Sequence, residues 1–115
     1  GRELSDKFYV GFFDGNALVA VLDLIIGYPD KNTDFIGFFM MDASRQGRGS
    51  GSKIIQECAA YLYTTGCRKL RLGVDKGNPQ SNAFWRKNGF CVVDTGEYIL
   101  MERTLRASSC DHLLY

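Results

Sequence analysis

The 115-residue sequence predicts a mixed α/β (α+β) fold: a mostly antiparallel central sheet of about six strands carrying two helices. Three observations lead there. Followed along the chain, the apolar pattern gives the order strand, strand, strand, helix, strand, helix, strand, strand. Its period changes from two to that of a helix directly after the glycine-rich stretch RQGRGSGSKII at residues 45–55. The length suits one core and a single domain over residues 1–115, burying about two thirds of the unfolded surface.

Each element has its own signal. KFYVGFF (7–13) is aromatic and β-branched, ALVAVLDLIIGY (17–28) is a longer apolar run, and DGN between them is a turn with Gly15 free to take positive φ, which makes a hairpin. GYPDKNTD (27–34) holds Pro29 and several turn formers and reads as a loop. It leads to a third strand, FIGFFMMD (35–42), in which Gly37 predicts a bulge or the close approach of another backbone. Ile54, Ile55, Cys58, Ala59 and Leu62 then fall at helical spacing, and Gly66 ends an amphipathic helix of about 50–65. KLRLGV (69–74) alternates Leu70, Leu72 and Val74 against Lys69 and Arg71, a fourth strand. NPQSNAFWRKNGF (78–90) offers Pro79 for a first helical turn, Phe84 and Trp85 as apolar anchors, and Gly89 as a stop. FCVVDT (90–95) and EYILMERTL (97–105) close the sheet around Gly96. A right-handed crossover through the first helix makes the third and fourth strands neighbours.

Composition narrows the function. Apolar residues are 45% and charged residues 23% of the chain, globular values, and no uncharged stretch is long enough to span a bilayer. A net charge of +1 with dispersed basic residues gives nothing to draw the chain to nucleic acid or an anionic membrane, so an anion must be captured locally. Cys58, Cys67, Cys91 and Cys110 show neither metal-ligand spacing nor scaffold density; they read as reduced thiols of a cytoplasmic protein, with Cys58 and Cys91 in the core, and no metal site is expected. His112 falls in the C-terminal tail and reads as solvated. The chain begins at Gly1 without a signal peptide and is expected to be a fragment.

The first amides of a helix have no intrahelical partners, and a turn without Cβ atoms lets an anion reach them. A phosphate would sit well at Gly47 to Ser52; a flexible turn would use the same glycines. Two phosphate-loop patterns fail. Ser52 separates Gly51 from Lys53, where the P-loop needs Gly-Lys-Ser/Thr, and the third glycine of the dinucleotide fingerprint is missing.

What remains, Gln46-x-x-Gly49-x-Gly51, resembles the Gln/Arg-x-x-Gly-x-Gly/Ala signature of the GNAT superfamily of acyl-CoA-dependent N-acetyltransferases. GFFMMDAS stands where that family has its preceding strand, and NPQSNAFW and NGF stand where it has Asn-x-x-Ala/Ser-x-x-Phe-Tyr and Gly-Phe, so the likeness runs in order over roughly residues 35–91. It implies the acyl-CoA N-acyltransferase fold, shortened at its N-terminal strand and helix, and acetyl-CoA as co-substrate without metal. By the same resemblance, amides from Gln46 through Gly47, Arg48, Gly49, Ser50 and Gly51 hold the diphosphate, with Arg45 and Arg48 adding charge. The backbone at Met40 and Met41 pairs with the pantetheine arm, and Asn78 and Ser81 face the cofactor, although Asn78 also reads as a helix N-cap.

The implied activity is acetyl transfer to a primary amine by direct attack in a ternary complex; the alternative is an acyl-CoA-binding module without turnover. Trp85 stands where many family members place a tyrosine to protonate the departing thiolate, and indole cannot be that acid. Tyr98 has no place assignable from sequence. For the general base, Asp23, Asp34 and Asp42 lie on or beside the central strands, with Asp34 and Asp42 as candidates that also read as strand-end caps. The acceptor is a small-molecule or peptide amine. The missing front leaves an uncovered sheet edge that a second copy of the chain could take.

Overall fold

The computed structural model describes residues 7–107; Cys110 and His112 lie outside them. Among the described residues six strands form one sheet: β1 (Lys7–Asp14), β2 (Ala17–Ile25), β3 (Thr33–Met41), β4 (Lys69–Val74), β5 (Cys91–Thr95) and β6 (Ile99–Thr104), in the spatial order β1-β2-β3-β4-β6-β5. Only β3 and β4 run parallel; the other neighbours are antiparallel. The first helix, α1 (Ser50–Thr64), crosses from β3 to β4, and α2 (Pro79–Lys87) links β4 to β5. The mixed, mostly antiparallel sheet and its two helices are those read from the sequence.

Alternation places the core on one face of the sheet. Leu22, Leu24, Ile36, Leu70, Leu72 and Met101 pack against Ile55, Ala59 and Leu62 of α1 and Trp85 of α2. Each such aliphatic side chain contributes about 1.5–3 kcal/mol by leaving water. The opposite face carries Tyr9, Phe38, Arg71 and Glu102, with Arg71 donating to Glu102 Oε2 from Nη2 and Nε at 2.6 and 3.0 Å.

Two boundaries move from their sequence positions, both through one hydrogen bond. β2 ends at Ile25 because Gly27 turns at φ 70° and its amide is taken by Asp34 Oδ1 at 3.0 Å. That contact carries β3 back to Thr33, so Thr33 and Asp34 are buried strand residues. Cys91 is exposed where the sequence pattern expects core, because β5 is an edge strand with little packed over it. Cys58 is half-buried and Cys67 buried. Burial pushes the Cys58 thiol up to about 11 and the Cys67 thiol to about 12, with the Asp34 charge adding to both.

A bulge in β3 opens the sheet. β2 and β3 keep register from Ile25 opposite Phe35 to Leu24 opposite Ile36, then Asp23 lies opposite Phe38, so Gly37 is an extra residue, the bulge its sequence position predicts. Pairing of β3 with β4 stops at Ile36 and Leu72. Beyond that point β3 stays with β2 as far as Met41, while Gly73 and Val74 of β4 stay with β6. The two parallel strands therefore splay apart above Gly37.

Candidate functional site

The chain from Met41 to Ser52 folds as a strand end, one 3-10 turn at Ala43–Arg45 and a glycine turn into α1. Gly47 and Gly49 adopt φ 79° and 78°, left-handed values that an L side chain resists. Gly49 is the N-cap of α1 and makes no side-chain cap. The first intrahelical bond runs from the Lys53 amide to Gly49 O at 3.1 Å, so the amides of Ser50, Gly51 and Ser52 precede the helical ladder. Gln46 folds back and donates from Nε2 to Met41 O at 3.2 Å, which ties the turn to the end of β3.

At Gly51 the reason for glycine is space. A Cβ there would stand 3.3 Å from Met41 Sδ and 3.3 Å from Phe84 Cε1, so a side chain would require the Met41 and Phe84 side chains to give way by a few tenths of an ångström.

The second helix completes the wall. Asn78 Oδ1 accepts from the Ser81 amide at 3.0 Å, the N-cap its sequence position predicts, with Pro79 in the first turn. Asn88 at the other end of α2 is buried and donates from Nδ2 to Ser52 Oγ (3.1 Å) and Phe84 O (2.9 Å), while its Oδ1 accepts from Gln56 Nε2 (2.9 Å). These bonds hold the start of α1 against α2. Trp85 is buried, edge-on to Phe84, Phe90 and Phe39 at centroid distances of 5.0, 5.2 and 6.1 Å. Phe39 stacks on Phe84 at 6.0 Å.

Together these elements enclose a cavity of about 400 Å³ lined by Phe39, Met41, Gln46, Gly47, Gly49, Gly51, Ser52, Asn78, Gln80, Ser81, Phe84, Trp85 and Lys87. It opens along the β3 side of the splay, on the helix-bearing face. Of the residues that the sequence singles out, Met41, Gln46, Gly47, Gly49, Gly51, Asn78, Ser81 and Trp85 line it. Arg48 and Ser50 sit within the turn but outside the lining. Arg45 points elsewhere, bonded from Nη1 to Asp14 Oδ2 at 2.9 Å. The Met40 side chain is exposed, and by its pairing opposite Val21 it lies on the other side of β3 from Met41. Phe39, Gln80, Phe84 and Lys87 join the site without being assigned to it by sequence, while Ser52 closes the Gly47 to Ser52 stretch where a phosphate is expected. Phe84 shows in the sequence as an apolar anchor, whereas nothing local marks Gln80 or Lys87.

The two candidate bases are placed away from this cavity. Asp34 is buried in the paired half of β3, below the bulge, where it holds the Gly27 amide and faces Cys67. Asp42 is exposed at the end of β3 and accepts from Ser44 Oγ at 2.7 Å; that hydroxyl holds its carboxyl below the usual carboxylate range. Neither lines the cavity; Asp34 closes the Gly27 turn in the paired half of β3 and Asp42 accepts from Ser44 at its end, the strand-end capping roles their sequence positions also suggest. Tyr98 lies in the β5–β6 connection and is exposed, with its Cβ 3.9 Å from where a Gly73 side chain would begin. It borders the β4 side of the splay. Among the described residues no group of three His, Cys, Asp or Glu side chains could hold a metal ion, and no helix is long and apolar enough to cross a membrane.

A sheet opened by a bulge, with a glycine turn at a helix mouth on one side of the opening and a polar-tipped second helix on the other, defines an acyl-CoA N-acyltransferase fold. The profile of the acetyltransferase (GNAT) family matches residues 2–90, and the chain belongs to that family. Among solved structures it resembles an acetyltransferase from Thermus thermophilus (29% identity, TM-score 0.79, covering 87% of this chain and 65% of that one). It also resembles the PaiA N-acetyltransferase of Thermoplasma acidophilum in complex with coenzyme A (25%, TM-score 0.76, 86% and 61%). A GNAT acetyltransferase from Elizabethkingia anophelis with acetyl-CoA bound shares the fold at 16% identity (TM-score 0.77, 89% and 78%). The chain thus spans less than two thirds of the length of the first two. No curated protein matches its sequence.

Proposed function

We propose that this chain transfers an acetyl group from acetyl-CoA to a primary amine by direct attack within a ternary complex. The observation that carries the reading is the splay: unpaired main-chain groups of β3 above Gly37 meet the glycine turn at one continuous cavity. In this reading the amides from Gln46 to Gly51 hold the diphosphate and Arg48 adds positive potential around it; Arg45 can add its charge only by leaving Asp14, to which it is bonded at 2.9 Å. A nearly neutral chain needs such a local anion site. The Lys87 ammonium, on the cavity wall, supplies charge for a further phosphate. The backbone at Met40 and Met41 accepts the pantetheine arm as an added strand, and Asn78 and Ser81 flank it from α2.

Phe39, Phe84 and Trp85 form the dry wall beside the thioester. Catalysis then rests on holding the amine near the carbonyl while strand amides polarise its oxygen. The nitrogen bonds the carbonyl carbon, the C–S bond breaks, and the thiolate leaves with a proton surrendered by the amine.

The alternative, a binding module without turnover, is favoured by Trp85, whose indole N–H cannot protonate a thiolate. Isothermal titration with coenzyme A and thiol release from acetyl-CoA over a set of primary amines separate the two. Binding with amine-dependent release supports transfer; binding with none supports the module; no binding refutes both. We further propose one domain across 1–115 and a cytoplasmic location, which the free thiols of Cys58, Cys67 and Cys91 favour. A second copy of the chain is proposed to pair along the edge strand β1, where Tyr9 and Phe13 are exposed. Light scattering checks the last.

A further inference from the structure

The face of the splay turned away from the helices carries a charge that packing does not explain. Asp23 lies mid-β2, 5% exposed, between Leu22 and Leu24, whose side chains enter the helix-covered core. Alternation puts its carboxylate on the opposite face. It stands opposite Phe38, the first residue beyond the bulge. A Cβ on Gly37 would lie 2.9 Å from its Cγ, 3.0 Å from Oδ2 and 3.1 Å from Oδ1, so the carboxylate rests flat on the bulge backbone at the apex of the opening between β3 and β4. The missing side chain of Gly37 is what seats it there.

Its partners are incomplete. Oδ2 pairs with Lys7 Nζ at 3.3 Å, and among the described residues Oδ1 has no hydrogen-bond partner. A buried carboxylate with one oxygen unmatched costs stability. Asp34 also has one oxygen, Oδ2, without a partner among the described residues, but its Oδ1 closes a turn at the Gly27 amide and it lies in the paired half of β3 below the bulge, away from the opening. The surroundings of Asp23 also show what it accepts: the Lys7 ammonium, a primary alkylammonium, lies against the carboxylate and 5.4 Å from the Tyr9 ring centroid. Among the described residues, Lys7 and Tyr9 on β1 are the ionisable groups facing it, while β3 presents Gly37 and Phe38.

We infer that Asp23 is the catalytic base for the acceptor, that the acceptor is an unhindered primary alkylammonium approaching from the helix-free face, and that Lys7 occupies its place until it arrives. This rests on the transfer reading above. Asp23 takes one proton from the ammonium; the freed nitrogen lone pair forms the C–N bond as the C–S bond breaks, and the second nitrogen proton passes to the departing thiolate. The products are an N-alkylacetamide, coenzyme A thiol and the proton that Asp23 returns to water.

The test uses the full chain with acetyl-CoA and two amine probes, spermidine and Nα-acetyl-lysine amide. For a probe that turns over, Asp23→Asn is expected to keep the coenzyme A Kd within about twofold yet lose about 100-fold or more in kcat/KM at about pH 7, the usual scale of general-base loss. That loss should recover about tenfold per pH unit toward the amine's own value near about 10.4, which a structural defect would not do. Lys7→Met, at the surface, is expected to lower the probe's KM severalfold. In chain labelled with 13Cγ-aspartate and loaded with coenzyme A, the Asp23 resonance should move on adding spermidine, with or without turnover. A resonance that stays put, or D23N within about threefold of the parent with cofactor binding intact, overturns the inference. Should D23N fail to fold, the Lys7→Met KM and the carboxyl resonance decide. A parent chain that binds no coenzyme A refutes the transfer reading instead, and is seen directly in the titration.

Discussion

Replacing Gly49 by alanine isolates the backbone contribution of the glycine turn. Gly49 sits at φ 78°, and a Cβ built on it meets nothing within 4 Å, so the substitution introduces no collision and acts through conformation alone. An L residue held in the left-handed region costs roughly 1–2 kcal/mol. Part of that, about half, appears as stability, a fall in Tm of about 2–6 °C for a chain of this size. The remainder appears in binding: without ligand the strained turn relaxes and its amides rotate away, and coenzyme A must restore them. With half of the cost, about 0.5–1 kcal/mol, falling on binding, the Kd weakens roughly 2–5-fold. Gly15, at φ 61° in the β1–β2 hairpin and equally free of neighbours, is the control. Gly15→Ala carries a similar backbone cost far along the chain from the turn. Differential scanning calorimetry and titration with coenzyme A on both variants give the answer. If Gly49→Ala loses stability as Gly15→Ala does but binds coenzyme A as tightly as the parent, the turn's amides do not hold the diphosphate and the reasoning fails.

Asn78→Ala removes the α2 N-cap, so a stability loss of about 1 kcal/mol is expected in denaturant unfolding. Asn88→Ala leaves Ser52, Gln56 and Phe84 O without their shared partner in a buried place; about 1–3 kcal/mol should be lost, together with affinity for coenzyme A as the mouth of α1 loosens. Arg71→Met strips the two-pronged partner from the largely buried Glu102 and should cost about 2 kcal/mol, measured by urea unfolding. The thiols of Cys58 and Cys67 are raised to about 11 and about 12, above the ordinary thiol value of 9.0. The unfolded chain therefore releases these protons first as pH rises. Their contribution is complete below about pH 9 and is lost between there and the folded values, so Tm should decline above about pH 9. Cys67→Ala should flatten that decline.

The order of elements, the hairpin turn at Gly15, the helix caps at Asn78 and Gly66 and the glycine turn into α1 were all legible because each depends on residues a few positions apart. Hydrophobic period, turn chemistry and the helix-mouth pattern Gln46-x-x-Gly49-x-Gly51 are short-range properties. Even the bulge announced itself, through a glycine inside an apolar strand.

Other features depended on what the strands bring side by side. Which carboxylate stands at the opening was decided by the β2–β3 register: one extra residue at Gly37 sets Asp23 against Phe38 at the apex, while Asp34, on β3 itself, is carried below it into a cap for Gly27. The wall residues Gln80 and Lys87 join the cavity only because α2 packs beside the start of α1 through Asn88. Cys91 is apolar in pattern but exposed, since the closing strand lies at an edge. Local pattern determines what each segment becomes and which face it buries. Pairing between distant segments, with loop-closure entropy to overcome and alternative registers one residue apart, determines which functional groups meet.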